Sequence, residues 1–471
     1  MIARRIVPSL CALVLAACAL REAPPRDELV REALPNLAPP LHWSAAAVSV
    51  APVADNWLAG IDEPALAALV AEAMVHNLDL RVAATRVDVA AAYLAGAKSP
   101  LWPQVNLVAR GGGKMSGDSS GLTGVGLFAA WELDLWGRVR ATVRATELQY
   151  ESTQLDAEYA RQSIAALVVK AWIVAVEARM QKTQAEAMLA SSEKLVSLAR
   201  DRLRVGNGDE LEVSLAQANV ETLRDNVRSL DLAYGNALRA IETLVGRYPS
   251  AAVDVGPRLP VWAGETPAGV PSELLERRPD VAAAERRVAA AFYRTEEAKA
   301  ARLPRITLVA NFTSLSSELF VLQSRDNPLF SFGAGLVQPV FLGGLLQSQV
   351  DARTAEQQGA IADYGKVGAR AFGEVESALA TGLAAGERTK ILARAVRENE
   401  RALELSNIRY GVGTIDLRSV QQQQIALYAA QTALLRVQAD GLVQRVNLHL
   451  ALGGSFAPAA TVTGDASPAK R

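Results

Sequence analysis

Few side chains in this 471-residue sequence fall into patterns that do chemistry. Gly111-Gly112-Gly113-Lys114 has the beginning of a phosphate-binding loop, in which backbone N–H groups cradle phosphate and a lysine adds charge. The Ser or Thr such a loop needs after its lysine is Met115, so the stretch reads as the outer loop of a β-hairpin. Glu374 and Glu376 are neighbouring carboxylates, but residues two apart on a helix face different ways. Arg277, Arg278, Arg286 and Arg287 suggest an anion site; a solvated helix face with local ion pairs is the expected arrangement. The three histidines, His42, His76 and His449, are too scattered for a metal cluster or a Ser/His/Asp set. No cofactor, no metal and no enzyme active site are expected.

The one reactive pattern stands at the N-terminus. Cys11 and Cys18 are the only cysteines, so the remainder has neither a disulfide framework nor a thiolate cluster. Arg4-Arg5 precede an apolar run, Ile6 to Ala17, that is too short to span a bilayer permanently. Leu15-Ala16-Ala17-Cys18 matches the bacterial lipobox, which predicts removal of a signal peptide (1–17) and diacylation of Cys18. Acyl chains contribute about 0.8 kcal/mol per buried CH₂, so several of them on Cys18 anchor a protein firmly. An ordinary signal peptide with a chance cysteine is the alternative.

The elements that carry these residues are mostly long helices. Lys and Arg number 49 against 50 Asp and Glu, which leaves no basic footprint for nucleic acid. Half the residues are apolar but only 5% are aromatic, and alanine makes up much of the excess. Residues 18–60 form an extended arm broken by Pro24, Pro25, Pro35, Pro39 and Pro40, with Trp43 and Trp57 to dock it. Asp62 is expected to cap a helix that admits Pro64 and runs to Lys98. A hairpin follows at about 104–133. Proline is then absent from Arg138 to Leu203, and roughly 65 residues at 1.5 Å rise make a helix about 100 Å long. Gly206-Asn207-Gly208 turn the chain (tip about 204–209), and a second helix returns to Leu244.

The same unit then recurs. Trp131-Glu132-Leu133-Asp134-Leu135-Trp136-Gly137-Arg138 is echoed by Gln338-Pro339-Val340-Phe341-Leu342-Gly343-Gly344-Leu345, 207 residues later (338 − 131). Arg202-Leu203, Gly206 and Gly246 keep that distance from Arg409-Tyr410, Gly413 and Gly453. Upstream the offset is 201: Pro103-Gln104-Val105 aligns with Pro304-Arg305-Ile306. The first repeat is 61–248, a Pro/Gly-rich crossover covers 249–271, and the second repeat is 272–454. That copy has its hairpin at about 305–341 and its tip at about 411–415; 455–471 is a loose tail.

Each copy supplies two strands, and four strands cannot close a barrel. An open sheet leaves unpaired backbone at its edges, which a bilayer forbids, so closure requires several chains. Two chains give eight strands and three give twelve; the strands alone do not choose. The helices likewise cannot bury Ile164, Leu167, Val168, Ala171, Val174 and Ala175 within one chain.

At these residues the sequence resembles the outer-membrane efflux proteins, the TolC-like trimeric channels, in their lipoprotein branch. The two echoed motifs carry the resemblance, together with Leu274-Leu275-Glu276-Arg277-Arg278-Pro279-Asp280-Val281, Arg409-Tyr410 through Gly413-Thr414, and Ala451-Leu452-Gly453-Gly454. The resemblance implies a mainly α fold with a membrane β-barrel, built from the duplicated unit of helix, β-hairpin and long helical hairpin. It implies a homotrimer whose twelve-stranded β-barrel is continuous with a twelve-stave α-barrel. It also implies a tripartite pump, with a periplasmic adaptor protein and an inner-membrane transporter of the RND type, and sorting of the lipidated chain to the outer membrane. The exported material would be drugs or other small toxic compounds; the exit duct of a type I protein secretion system has the same architecture. A helical periplasmic scaffold without a pore is the competing reading from a different class.

Two sets of residues take roles from the resemblance. Val205, Gly206, Val412, Gly413 and Thr414 stand at the tips where adaptor hairpins dock, although glycine also relieves strain in any such turn. Arg409, Tyr410, Asp416, Leu417, Arg418 and Gln422 are the aperture candidates. Here the chain departs from the family pattern: a leucine that commonly narrows the pore is replaced by Arg418, with Leu417 beside it, and a later acidic position is Gln422. Asp416 would give a negative ring or merely favour a helix start.

Overall fold

A computed structural model describes residues 21–37, 40–45, 55–110, 122–262, 269, 271–317 and 329–456. The expected signal peptide, Cys18, part of the arm, the Gly111–Lys114 loop, part of the crossover and the tail from residue 457 lie outside the described residues. The chain divides into two compact units.

The first unit comprises residues up to Leu37, Ala84–Asp156 and Asp280–Gly368. Its centre is one antiparallel sheet of β1 (Gln104–Arg110), β2 (Leu122–Leu133), β3 (Arg305–Ser317) and β4 (Leu329–Val337), paired in chain order. β4 stops short of the expected Phe341, because Pro339 has no N–H to give a ladder. The two hairpins share one register. Gln104 faces Ala130, and at the repeat-equivalent positions Arg305 faces Val337.

Directly opposed residues in such a ladder lie on one face. Two neighbouring rows of one face are apolar: Leu107, Leu127, Phe312 and Phe330 form one, and Val105, Ala129, Ala310 and Phe332 the next. The other face is mixed, with Gln104, Asn106, Thr307, Asn311 and Ser331 beside Val108, Phe128, Val309 and Val337. Leu107, Phe330 and Phe332 are 69%, 73% and 71% exposed, although nothing polar covers their cost in water. Among the described residues no helix is long and apolar enough to cross a membrane.

The same unit holds α1 (Arg26–Ala33), whose Arg26 pairs with Glu285 at 2.8 Å. The carbonyl of Ala33 sits where a Cβ on Gly365 would come within 2.5 Å, so only glycine admits this helix. Arg286 and Arg287 of α6 (Pro279–Ala300) pair with Glu151 and Asp156, as a solvated face with local ion pairs requires.

The second unit comprises Ala38–Ala83, Ala157–Pro279 and Ala369 onward. The helix expected from Asp62 to Lys98 is two helices, α2 (Pro64–His76) and α3 (Leu78–Lys98). Glu63, not Asp62, occupies the cap position, without a side-chain bond. Asn77 makes the break: its Oδ1 accepts from the Leu80 N–H at 3.0 Å and its Nδ2 donates to the Leu244 carbonyl at 2.8 Å. Such local bonds offer the backbone an alternative to continuing the helix.

The core of this unit packs Leu66 and Val70 of α2 against Val168, Trp172, Ile173 and Val176 of α4 (Arg138–Arg204). Ile241 of α5 (Glu210–Leu244) and Val446 of α8 (Leu417–Ala451) complete it. Leu167 and Val174, seven residues apart on α4, remain 42% and 48% exposed. They are apolar surface that a single chain leaves uncovered, but Ile164, Val168 and Ala175 correct the wider expectation: α2, α5 and α8 bury them within the chain.

Both arm tryptophans are buried. Trp43 packs on Phe372 of α7 (Leu345–Gly411), and Glu376 accepts the N–H groups of Ser44 and Ala45 at 2.8 Å each. Trp57, the crossover's Trp262 and His449 of α8 stack with centroids 5.2–5.7 Å apart, and Arg445 lies 4.6 Å over Trp262. Arg278 corrects the expectation of a solvated arginine. It is wholly buried, donating to Glu374 at 2.7 Å and to the Ala451 carbonyl at 3.1 Å.

The duplication is faithful in length. α4 and α7 have 67 residues each, and α5 and α8 have 35 each.

Candidate functional site

The two turns between long helices fold alike because they share their signals. In the first, Gly206 has φ +80°, its N–H donates to the Leu203 carbonyl, and the Asn207 N–H reaches back to the Arg202 carbonyl at 2.9 Å. In the second, Gly413 has φ +78°, and the Thr414 N–H reaches the Arg409 carbonyl at 2.9 Å. These are Schellman closures, which need a left-handed residue and so favour glycine. An aspartate then starts each return helix: Asp209 accepts from the Leu211 N–H and Asp416 from the Ser419 N–H.

All four helices meet behind the turns. Leu195, Ala199, Val213, Val220, Tyr410 and Leu417 are members of one buried cluster. Arg202 ties the first turn to the second. Its guanidinium lies 4.5 Å over the Tyr410 ring, and Nη1 donates to the Tyr410 carbonyl at 2.7 Å. The Tyr410 hydroxyl donates to Glu212 at 3.4 Å, and Glu212 also accepts from the Leu417 N–H. Burial, with the Glu212 carboxylate beside it, pushes the phenol's pKa up and keeps it protonated as a donor.

This geometry divides the aperture candidates. Tyr410 and Leu417 are each only 1% exposed and turn into the tip core. Arg409, Asp416, Arg418 and Gln422 are exposed. Asp416 also caps its helix, and its bonds with the Ser419 hydroxyl and N–H hold its carboxyl below the usual range. Gln424 sits between helices, donating to Ser191 and accepting from Ser192. Val205 and Val412 are 68% and 71% exposed at the turn apices, beside exposed Gly206, Gly413 and Thr414. Arg202 and Glu212 were not singled out as site residues in the sequence. Arg202 was visible as the repeat partner of Arg409; Glu212 gave no signal.

A groove of about 710 Å³ is lined by Tyr159, Arg370, Glu374, Ser377, Gln444 and Asn447, and its one carboxylate, Glu374, is engaged by Arg278. No group of three or more His, Cys, Asp or Glu among the described residues could hold a metal ion.

The family model for the outer membrane efflux protein matches this chain twice, over residues 69–247 and again over 270–454. The chain belongs to that family. The outer membrane efflux protein is 29% identical to the pyoverdine export outer membrane protein OpmQ of Pseudomonas aeruginosa, over 94% of this chain and 95% of that one. It is 30% identical to TtgC of Pseudomonas putida, a probable efflux pump outer membrane protein, over 88% of each. Among solved structures it is similar to the outer-membrane channel OprN, with a TM-score of 0.83 and 27% identity over 89% of this chain and 97% of that one. This efflux protein is an outer-membrane channel component of a tripartite pump, in a family of transport components.

Proposed function

We propose that three copies of this efflux protein assemble into a passive exit duct for drugs or other small toxic compounds. The observation that carries the reading is the four-stranded sheet, with exposed apolar rows on one face and a pairing edge at each end. Three such sheets make a twelve-stranded barrel, and three sets of four helices a twelve-stave α-barrel. The exposed Leu167 and Val174 support burial between copies. Diacylation at Cys18 anchors the chain in outer-membrane lipid. The turn apices at Val205, Gly206, Val412, Gly413 and Thr414 receive a periplasmic adaptor, which links the duct to an RND-type transporter. Arg409, Asp416, Arg418 and Gln422 edge the aperture, while Tyr410 and Leu417 brace it from behind.

The relatives, from a pyoverdine export protein to a toluene efflux pump component, favour small solutes over secreted protein chains as the cargo. The test is reconstitution of the detergent-extracted protein into planar bilayers, with mass by light scattering. Discrete ion conductance from a species three times the chain mass is expected. A monomer without conductance would return the non-pore scaffold.

A further inference from the structure

We infer that the foot of the second hairpin holds the headgroup of an anionic phospholipid, with Arg302 on its phosphate and Val340, Phe341 and Leu345 against its acyl chains. This rests on the reading above, with the sheet in the outer membrane and the helices in the periplasm, which makes the lipid one of the periplasmic leaflet.

The two repeats differ at this corner. At the foot of the first hairpin, between β2 and α4, the space is filled and its charges are matched. The Trp131 indole donates to the Leu101 carbonyl and the Trp136 indole to the Pro304 carbonyl. Glu132 pairs with Arg138 at 2.9 Å and Asp134 with Arg140 at 3.1 Å. Asp134 also accepts the N–H groups of Val139 and Arg140.

At an offset of 207, the corner between β4 and α7 has lost each of these groups. Gln338 stands for Trp131 and Gly343 for Trp136, so both indoles are gone. Pro339 with Leu345, and Phe341 with Gln347, stand where the two ion pairs were. What remains is a pocket of about 340 Å³, within the range of small-ligand sites.

Two properties of the pocket point to its occupant. Its rim is apolar and turned outward: Val340 and Phe341 are 91% and 85% exposed, and Leu342 and Leu345 are exposed beside them. The rim follows β4 directly, and so continues the exposed apolar surface of Phe330, Phe332 and Leu336 past the end of the strand. The second property is charge. Arg302 is the one charged side chain among the described residues lining the pocket, where the first repeat has Leu101. A guanidinium takes phosphate oxygens in pairs. The ammonium of a zwitterionic headgroup finds no carboxylate among those lining residues, which selects phosphatidylglycerol over phosphatidylethanolamine.

Native mass spectrometry of the detergent-extracted full-length protein tests the site, with phosphatidylglycerol and phosphatidylethanolamine added in equal amounts. The wild type should retain phosphatidylglycerol in excess. Arg302→Gln should retain about fivefold less of it, the share that one basic residue contributes at an anionic lipid surface. Arg302→Lys should keep most of the retention, and Phe341→Ser should lose part of it for both lipids. Arg305, an exposed arginine outside the pocket, is the control for bulk charge, and Arg305→Gln should change nothing. Unchanged retention in Arg302→Gln, an equal loss in Arg305→Gln, or equal retention of the two lipids by the wild type overturns the headgroup site alone. Unchanged retention in Phe341→Ser with a smaller assembly mass gives the pocket to a second copy of the chain, and also overturns it. A wild-type protein recovered in the soluble fraction of cells overturns the site together with the reading beneath it.

Discussion

Gln338 donates from Nε2 to the carbonyl of Arg302 at 3.2 Å, and this bond is the repeat image of the one from Trp131 Nε1 to the carbonyl of Leu101 at 3.1 Å. An amide and an indole, unlike in shape, do the same work at the foot of each hairpin: each satisfies a carbonyl left over where a helix ends. Trp131→Phe keeps the ring and deletes the donor, so it should cost about 1 kcal/mol. A lowered midpoint of heat denaturation checks this.

Arg278 and Glu374 should respond unequally to mutation. Glu374→Ala removes the carboxylate that meets a fully buried guanidinium, and a loss of about 3–5 kcal/mol is expected. Arg278→Met replaces the charge with apolar volume and should cost less. Denaturant midpoints of the two variants compare them; equal losses would mean that the pair does not act through burial of charge.

His449 sets an acid limit on stability. Burial, and then the neighbouring Arg445, lowers its pKa from 6.5 to about 4. Between those values the unfolded chain binds a proton that the folded chain refuses. Stability is therefore full above about pH 6.5 and declines as pH falls towards 4, by about 3 kcal/mol in total. His449→Phe retains an aromatic ring against Trp57 and Trp262 and should flatten this part of the profile, followed by thermal melts at stepped pH.

At the tips, Gly413→Leu forces a side chain into a left-handed backbone, at about 1–2 kcal/mol. Efflux should fall while insertion and the mass of the assembly stay as they are. Unaltered drug tolerance of cells carrying this variant would remove the docking role from the turn.

Asp416→Asn separates charge from capping, since asparagine also caps helices. The expected result is a channel of unchanged stability with weaker preference for cations, read as a shift in reversal potential. An unchanged potential would assign Asp416 to the helix start alone.

The repeat, the helical spans and the two turns were legible because glycine, proline and apolar period act locally. Asn77 was not, since its effect depends on the Leu244 carbonyl, 167 residues away. Arg278 likewise reads as one more surface arginine until Glu374 and Ala451 close round it. In the tip, Tyr410 and Leu417 face inward for the same reason. Helical spacing says which residues share a face, and only the other three helices say what covers it.

The equality of the paired helices, 67 with 67 and 35 with 35, restricts how such a chain can evolve. A deletion in one arm would pull its bend out of level with its twin and draw Arg202 away from Tyr410. Changes of reach must come as matched edits in both halves, so the two arms serve as each other's ruler.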